Sequence, residues 1–169
     1  MLFRSIIVRV IVLNMKNEIY ENLVLQTEGI AADQKYSITL LSNTSALIMD
    51  NLADLNWVGY YLFLDEKLIL GPFQGKVACE VIEMGKGVCG TAASENRTVL
   101  VKNVHEFPGH IACDSASNSE IVIPLYVNNK LYGVLDIDSP LLERFDETDQ
   151  KYLEIIAHII ERSLEKTSV

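Results

Sequence analysis

The chain of 169 residues has 14 basic and 23 acidic side chains, which gives it a formal net charge of −9. Its length fits one domain, and 49% hydrophobic against 22% charged residues exclude a disordered chain. The net negative charge repels phosphate backbones and anionic lipid, so neither nucleic acid nor a membrane surface is expected as a partner.

An apolar run over residues 2–13, interrupted by Arg4 and Arg9, opens the chain. It is shorter than the ~20 residues that span a bilayer, and it lacks the cleavage signal of a signal peptide. We interpret residues 1–14 as an N-terminal extension, with a buried extra strand as the alternative, and residues 15–169 as the domain. Without a signal, the expected compartment is the cytoplasm, where cysteines stay reduced.

The first half of the domain has the pattern of a helix followed by strands. Apolar residues recur with helical spacing over 36–49, and the β-rich segments 57–64 and 68–70 flank charged residues as in a hairpin. We expect the chain to turn at residues 71–72 and to form another strand over 77–84.

Shorter elements are predicted in the middle of the chain. Residues 88–95 follow two glycines and are expected to form a short helix, and residues 99–101 a brief strand. Residues 104–118 are rich in His, Gly, Ser and Asp, which predicts a loop, the kind of segment in which binding residues concentrate.

A hairpin and a helix are predicted at the end of the chain. Strands over 120–127 and 130–138 flank Asn128 and Asn129, because asparagine tolerates the positive φ angles of a tight turn. Asp146 precedes an amphipathic segment as its N-cap. Short antiparallel strands between helices predict the α+β class, a single domain whose antiparallel sheet is flanked by N- and C-terminal helices.

Three cysteines, Cys79, Cys89 and Cys113, lie beside turn signals. Cys79 occupies a predicted strand position and is consistent with a core residue. Cys89 lies at a helix start, where free N–H groups and the helix dipole stabilise a thiolate. Cys113 lies in the polar loop, where exposure favours a nucleophile, although Asp114 and Glu120 would raise its pKa. These arguments leave Cys89 and Cys113 as equal candidates for a nucleophile.

A zinc site is the metal-binding alternative. Cys79, Cys89, His110 and Cys113 together offer four ligands of the right type. Their spacing matches no common zinc motif, because two of the four stand alone in the sequence. The pattern therefore argues against a structural zinc site.

Three carboxylates form a second cluster. Alternation places Asp136 and Asp138 on one face of their predicted strand, and Glu120 opens the strand before it. Neighbouring carboxylates repel each other unless a cation binds them, so we consider a solvated strand end and a pocket for an ammonium group or a metal ion. Trp57 and Tyr61 are candidates for an aromatic wall of that pocket, with a plain core position as the alternative.

Four segments, NWVGYYL, LGPFQGKVAC, GKGVCGTAASENRTVLVKNVHEFPGHIACDSASNSEIVIPL and GVLDIDSP, resemble those of the free methionine-(R)-sulfoxide reductases, which are single GAF domains. The resemblance covers about residues 36–165, and the stretch before Met15 has no counterpart in it. It implies an antiparallel sheet flanked by helices, with the active site in the ligand cavity of the GAF domain.

The resemblance implies a role for each cysteine. Cys113 attacks the sulfoxide sulfur, releases methionine and becomes a sulfenic acid. Cys79 or Cys89 then condenses with the sulfenic acid to form a disulfide, which thioredoxin reduces with electrons from NADPH through thioredoxin reductase. No bound cofactor or metal is expected. GAF domains often pair through their terminal helices, so a homodimer is a further expectation.

The resemblance also implies roles for the acidic and aromatic candidates. Glu120, Asp136 and Asp138 bind the substrate and assist proton transfer, and one carboxyl of raised pKa is the general acid. Trp57 and Tyr61 contact the methyl-sulfoxide end. The alternative function is a non-catalytic small-molecule sensor, which is disfavoured because sensors usually carry an output domain and this length leaves no room for one.

Overall fold

The structure is a computed structural model, which describes the backbone of residues 2–109 and 115–168 and the side chains of residues 11–109 and 115–168. Its elements in chain order are α1 (Leu2–Ala31), α2 (Ser37–Asn51), β1 (Trp57–Leu64), β2 (Lys67–Gly75), β3 (Val81–Glu83), α3 (Gly87–Glu95), β4 (Val99–Val101), a 3₁₀ turn (Val104–Glu106), β5 (Ser119–Val127), β6 (Lys130–Ser139) and α4 (Glu147–Leu164).

The described strands form one antiparallel sheet in the order β3-β2-β1-β6-β5-β4. The hairpins β1–β2 and β5–β6 lie side by side because β1 pairs with β6. In these pairs Asp138 is opposite Trp57 on one side and Glu120 on the other, while Asp136 is opposite Gly59. Directly opposed side chains share a face of the sheet, so Trp57, Asp138 and Glu120 form a row across it.

Helices α2 and α4 pack on one face of the sheet, and α1 packs against both of these helices. Alternating strand residues point to that face, as Tyr60, Ile121 and Ile137 do, and they pack against apolar side chains of the helices. The buried helix residues of this core are Tyr20, Leu23, Leu40, Leu41, Ile48, Leu153, Ile156, Ala157, Ile160 and Leu164.

Helix α3 covers the opposite face. Strand residues one position out of phase with the first core, including Trp57, Tyr61 and Val122, pack there against Val88 and Cys89 of α3. The three carboxylate candidates alternate with residues of the first core, so the sheet directs them to this second face as well.

A buried polar contact joins α1 to the start of α4. Asp149 is fully buried and accepts hydrogen bonds from the Tyr20 hydroxyl at 2.6 Å, the Lys16 Nζ at 2.7 Å and the Arg144 guanidinium at 3.1 Å. Asp149 also completes a capping box with Asp146, which confirms Asp146 as the N-cap of α4. One carboxylate therefore fixes where the first and last helices meet.

The short helix, the brief strand and the hairpin predicted for the second half of the chain are confirmed. Helix α3, strand β4 and the β5–β6 hairpin lie where they were expected. Asn128 and Asn129 have φ angles of 52° and 61°, the left-handed values that their turn requires.

The expected turn at residues 71–72 is wrong. Strand β2 continues through Gly71 and Pro72 to Gly75. The β1–β2 register shifts between Gly59 and Tyr61, beside this proline. A bulge tolerates proline because its missing N–H costs no regular ladder hydrogen bond there.

The expected strand over 77–84 is wrong in its first half, because β3 is limited to Val81–Glu83. Cys79 therefore lies in the connection before β3 and not in a strand. The carbonyls of Lys76 and Cys79 accept hydrogen bonds from side chains of β1 instead of from a neighbouring strand. These side-chain contacts hold the connection in an irregular path.

The alternative of a buried extra strand at the N-terminus is also wrong, since residues 2–14 belong to helix α1. The side chains of Ile11, Val12 and Leu13 are exposed. No helix in the described part of the chain is long and apolar enough to cross a membrane. The division at residues 14 and 15 stays a prediction.

Candidate functional site

Cys89, Glu120 and Asp136 converge where α3 packs on the sheet. One potential ligand atom from each side chain lies within 4.8 Å of the other two, and Cys89 Sγ lies 4.0 Å from Glu120 Oε1. All three residues are buried, with exposed fractions of 4 to 6%. Residues far apart in the sequence therefore form one compact group of a thiol and two carboxyls.

Local backbone geometry brings Cys89 to the sheet. A Cβ on Gly90 would lie 2.4 Å from the Glu83 carbonyl, so only glycine lets α3 approach the end of β3 this closely. Gly90 donates its N–H to the Lys86 carbonyl as the helix begins. Cys89 precedes this contact and points into the second core.

Trp57 forms an aromatic wall beside the carboxylates. Its ring stacks on Tyr61 at 5.9 Å and on Phe73 at 5.3 Å between ring centroids. A Cβ on Gly59 would lie 2.5 Å from the Trp57 ring, so the ring passes over Gly59, whose opposite residue on β6 is Asp136. The wall and the carboxylates therefore share this face of the sheet.

The same aromatic residues hold the chain that carries Cys79. The Trp57 indole N–H donates to the Lys76 carbonyl at 3.1 Å, and the Tyr61 hydroxyl donates to the Cys79 carbonyl at 3.0 Å. Phe73 completes the wall, and sequence reasoning missed it because the expected turn at residues 71–72 removed it from the sheet. The sole signal for it was the segment LGPFQGKVAC, in which Phe73 follows that turn.

Burial raises the pKa of both buried carboxyls, and neighbouring charges raise the pKa of Glu120 further. Burial, followed by the charges of Asp136 and Asp138, raises the pKa of Glu120 well above its usual value. Burial also raises the pKa of Asp136 to about 6, opposed by hydrogen bonds from Cys89 and Glu120. The surroundings of Glu120 therefore favour its protonated form, which is the form of a proton donor.

The expectation of a stabilised Cys89 thiolate is wrong. Burial raises the pKa of Cys89 well above its usual value, and the charges of Asp136 and Glu120 raise it further. The helix start does not compensate, because the dipole effect is about 0.3–1 kcal/mol and is outweighed by burial beside two carboxyls. Cys89 is therefore a neutral thiol in this environment.

One atom of the group has unmet hydrogen-bonding capacity. The buried Oδ1 of Asp136 has no hydrogen-bond partner in the ranges that the structure describes. A buried carboxylate oxygen without a donor is costly, by about 1–3 kcal/mol or more for a charged group. Such an oxygen is typical of a position where a ligand donor or a cation binds.

The cysteines differ in state. Cys79 is disulfide-bonded, whereas Cys89 is a free thiol. Cys113 lies outside the described residues, as do His110 and Asp114. The disulfide removes Cys79 as a thiolate ligand from the zinc alternative.

The loop over 104–118 is fixed at its two ends. Val104 N–H donates to the Asn118 carbonyl at 3.0 Å, and the His105 ring lies 2.8 Å from the Asn118 side-chain oxygen. Its far end leads directly into β5 and Glu120. The loop therefore begins and ends beside the second face of the sheet.

Comparison with known proteins identifies the family. A family model described as a GAF domain matches residues 40–165. The chain is 47% identical to the free methionine-R-sulfoxide reductase of Escherichia coli (strain K12) over 152 residues, which are 90% of this chain and 92% of that protein.

Solved structures agree with this match. The fRMsr of Staphylococcus aureus in its reduced form is 54% identical, with a TM-score of 0.84 over 86% of this chain and 94% of that one. The free methionine-R-sulfoxide reductase from Neisseria meningitidis in complex with its substrate is 43% identical, with a TM-score of 0.84 over 87% and 89%. With these matches, the α+β fold and the buried thiol–carboxyl group in one GAF domain, the chain belongs to the family of free methionine-R-sulfoxide reductases.

Proposed function

We propose that this chain reduces free methionine (R)-sulfoxide to methionine, with Cys113 as nucleophile, Cys79 as resolving thiol and Glu120 as general acid. The observation that carries the proposal is the buried pair of Glu120 and Asp136 beside an aromatic wall. Relatives that share most of this chain's length are named for this reaction.

The carboxyls of Asp136 and Asp138 suit the ammonium group of a free amino acid. Asp138 lies between Trp57 and Glu120 in the sheet register, and Asp136 has a buried oxygen that lacks a donor. An ammonium group has three donors and a positive charge, so it meets both needs. We propose that Asp136 and Asp138 bind this group, while Trp57 and Tyr61 contact the methyl-sulfoxide end.

The proposed reaction balances with these groups alone. The Cys113 sulfur attacks the sulfoxide sulfur as Glu120 protonates the sulfoxide oxygen; the oxygen passes to Cys113, which becomes a sulfenic acid, and methionine leaves. The Cys79 thiol then attacks the sulfenic sulfur, which forms a disulfide and releases water. A dithiol reductant, which we propose is thioredoxin supplied by NADPH and thioredoxin reductase, restores both thiols.

Two observations favour Cys79 over Cys89 as the resolving thiol. Cys79 is disulfide-bonded in this structure, and the Tyr61 hydroxyl holds its carbonyl. Cys89 is a free thiol whose pKa is raised, and a neutral thiol is a poor attacking group. We propose in addition that the protein forms a homodimer and acts in the cytoplasm.

The proposal is tested by NADPH consumption with free methionine sulfoxide, thioredoxin and thioredoxin reductase. We expect turnover of the R epimer and none of the S epimer. Cys113→Ser should abolish turnover, whereas Cys79→Ser should release one equivalent of methionine and then stop. Glu143→Gln, a change of an exposed acid on the surface, is the control and should retain full activity. No NADPH consumption with the R epimer would refute the enzyme, and activity of Cys113→Ser would refute the nucleophile.

A further inference from the structure

The proposed reaction joins the sulfurs of Cys113 and Cys79 in a disulfide and gives Cys89 no covalent role. Cys89 is nevertheless a buried free thiol packed against two carboxyls, with its Sγ 4.0 Å from Glu120 Oε1. Potential ligand atoms of Cys89, Glu120 and Asp136 all lie within 4.8 Å of one another. This set of one sulfur and two oxygens needs a chemical explanation of its own.

We infer that Cys89, Glu120 and Asp136 form a binding site for a borderline or soft divalent cation, Zn²⁺ or Cd²⁺, which excludes the substrate when it is bound. The exclusion rests on the proposed function, since the same carboxyls would bind the substrate's ammonium group. The cation site itself rests on the geometry of the three side chains.

The distances suit a tetrahedral ion after a small contraction. Zinc binds thiolate sulfur at about 2.3 Å and carboxylate oxygen at about 2.0–2.2 Å, which places a sulfur and an oxygen ligand about 3.6 Å apart. The Cys89 Sγ and Glu120 Oε1 are 4.0 Å apart already. This pair therefore needs only a small shortening, and the ligand atoms of all three side chains already lie within 4.8 Å of one another.

A second observation points to a ligand at this position. Asp136 is more than nine-tenths buried, and its Oδ1 has no hydrogen-bond partner among the described residues. A metal ion would satisfy this oxygen and offset the repulsion between the two carboxyls. Cys89 loses its proton to solvent when it binds the ion, and so does Glu120, whose protonated form serves the proposed reaction, because metal ligands are deprotonated.

The sulfur ligand determines which cations bind. Thiolate ligands favour zinc and softer ions, whereas Mg²⁺ and Ca²⁺ prefer all-oxygen sites with more ligands. Three protein ligands leave one tetrahedral position for water, as in open zinc sites. The site differs from the four-ligand alternative considered from sequence, because it needs neither Cys79 nor any residue of the loop over 104–118.

This independence gives a direct test on the oxidised protein, in which Cys79 is held in its disulfide. Binding of added Cd²⁺ is measured by calorimetry and by the ultraviolet charge-transfer band of a cadmium–thiolate bond. We expect one equivalent of Cd²⁺ and one such band. Cys89→Ser should remove the band, and Asp136→Asn should weaken binding at least tenfold with the band retained at saturation. Glu143→Gln, with an exposed acid changed, should bind as the parent does.

Circular dichroism first shows whether each variant is folded. If Asp136→Asn does not fold, Glu120→Gln replaces it, and we expect the same weakening of Cd²⁺ binding. A band that persists in Cys89→Ser, or binding without any band in the parent protein, would overturn the site. Mg²⁺ at the same concentration should leave the signal unchanged, and its binding with equal affinity would also overturn it.

The exclusion of substrate has a separate readout. Excess free methionine sulfoxide should displace Cd²⁺ from the oxidised protein and remove the band. A band that persists at saturating sulfoxide would overturn the exclusion while the cation site stands. Turnover of the R epimer by the reduced, metal-free protein tests the proposed function independently, so failure of one is distinguishable from failure of the other.

Discussion

Glu120 has two opposing effects, one on the proposed reaction and one on stability. Its buried carboxyl supplies the proposed proton, yet burial beside Asp136 costs stability because both groups lose hydration and repel each other. The raised pKa of Glu120 means that the folded protein binds this proton more tightly than the unfolded chain does. The protein therefore loses stability as the pH rises above the unfolded value of about 4.3.

We predict that Glu120→Gln stabilises the protein and inactivates it. The amide donates a hydrogen bond to Asp136 without a charge, so the free energy of unfolding at pH 8 should rise by about 1 kcal/mol, or the melting temperature by about 2–4 °C. Loss of the general acid should lower kcat by about 10²–10⁴-fold. Thermal melts with a chelator present and the NADPH assay measure the two effects. A variant that is less stable than the parent at pH 8 would contradict this account.

Gly59 is a second residue whose role is local and steric. A Cβ at this position would lie 2.4 Å from Phe73 Cβ and 2.5 Å from the Trp57 ring. We predict that Gly59→Ala displaces the aromatic wall, costs about 1–3 kcal/mol of stability and raises KM more than it lowers kcat. Urea unfolding and steady-state kinetics measure these changes.

Gly29→Ala is the matched control for that substitution. Gly29 lies in helix α1, and an added Cβ meets nothing within 4 Å. Alanine should therefore stabilise the helix by about 0.5–1 kcal/mol and leave KM unchanged. Equal effects of the two substitutions would show that the space over Gly59 is unimportant.

The connection between β2 and β3 shows what one element contributes. It follows an irregular path because Trp57 and Tyr61, on β1, donate hydrogen bonds to its carbonyls. Cys79 lies on this connection, so its position depends on the side chains of another strand and not on a ladder of its own. Backbone pairing with β2 resumes at Glu80, whose carbonyl accepts from the Leu70 N–H at 3.0 Å, so Cys79 lies just outside the strand ladder.

We predict that Tyr61→Phe slows formation of the Cys79 disulfide several-fold and changes the first release of methionine much less. The substitution removes the bond to the Cys79 carbonyl and keeps the ring in the wall. Quenched single-turnover mass spectrometry, with a sulfenic acid trap, measures both steps. Tyr60→Phe removes a buried hydroxyl on the opposite face, bonded to Thr44 at 2.8 Å, and should leave both rates unchanged. Equal slowing in the two variants would contradict the positioning role.

The junction of α1 and α4 is a second contact between elements, and it contributes to the stability of the fold. Asp149 is fully buried and accepts from Tyr20, Lys16 and Arg144. We predict that Asp149→Ala costs about 3–5 kcal/mol, because it leaves buried donors and a charge without their partner. Asp146→Ala, which removes the N-cap and an exposed ion pair with Lys16 at 2.8 Å, should cost about 0.5–2 kcal/mol. Denaturant unfolding compares them, and a smaller loss for Asp149→Ala than for Asp146→Ala would contradict this ranking.

The two faces of the sheet differ in what packs on them. Three helices and a large apolar core lie on one side and supply stability, while the thiol, the carboxyls and the aromatic wall lie on the other. A charged group on the second face therefore does not disturb the first core, because the backbone of the sheet separates them. This separation allows the buried carboxyls to exist in a stable domain.

We predict that removal of residues 1–14 leaves stability and turnover unchanged within error. The side chains of Ile11, Val12 and Leu13 are exposed, and Lys16 is the first of the described α1 side chains that hydrogen-bonds to α4. A truncation that starts at Met15 keeps Lys16 and Tyr20, whereas removal of residues 1–20 should cost several kcal/mol through loss of their bonds to Asp149. Melting temperatures of both truncations provide the measurement, and loss of stability in the shorter one would place residues 1–14 within the domain.

Features that depend on local signals could be predicted from the amino-acid sequence. Asn128-Asn129 predicted its turn through backbone preference, Asp146 predicted the start of α4, and alternation placed Asp136 and Asp138 on one face. The family resemblance rested on the motifs around the cysteines and the LDIDSP segment. Each signal acts within a few residues, so distant contacts do not change it.

The protonation of the buried thiol and the path of strand β2 depend on tertiary contacts that the sequence does not show. Cys89 begins a helix, which favours a thiolate, but burial beside Glu120 and Asp136 reverses that preference. Pro72 signals a turn, but a bulge opposite β1 accommodates it within β2. Hydration, charge repulsion and strand pairing depend on residues that the fold brings close together. The distance between these residues along the sequence does not show how close they lie in space.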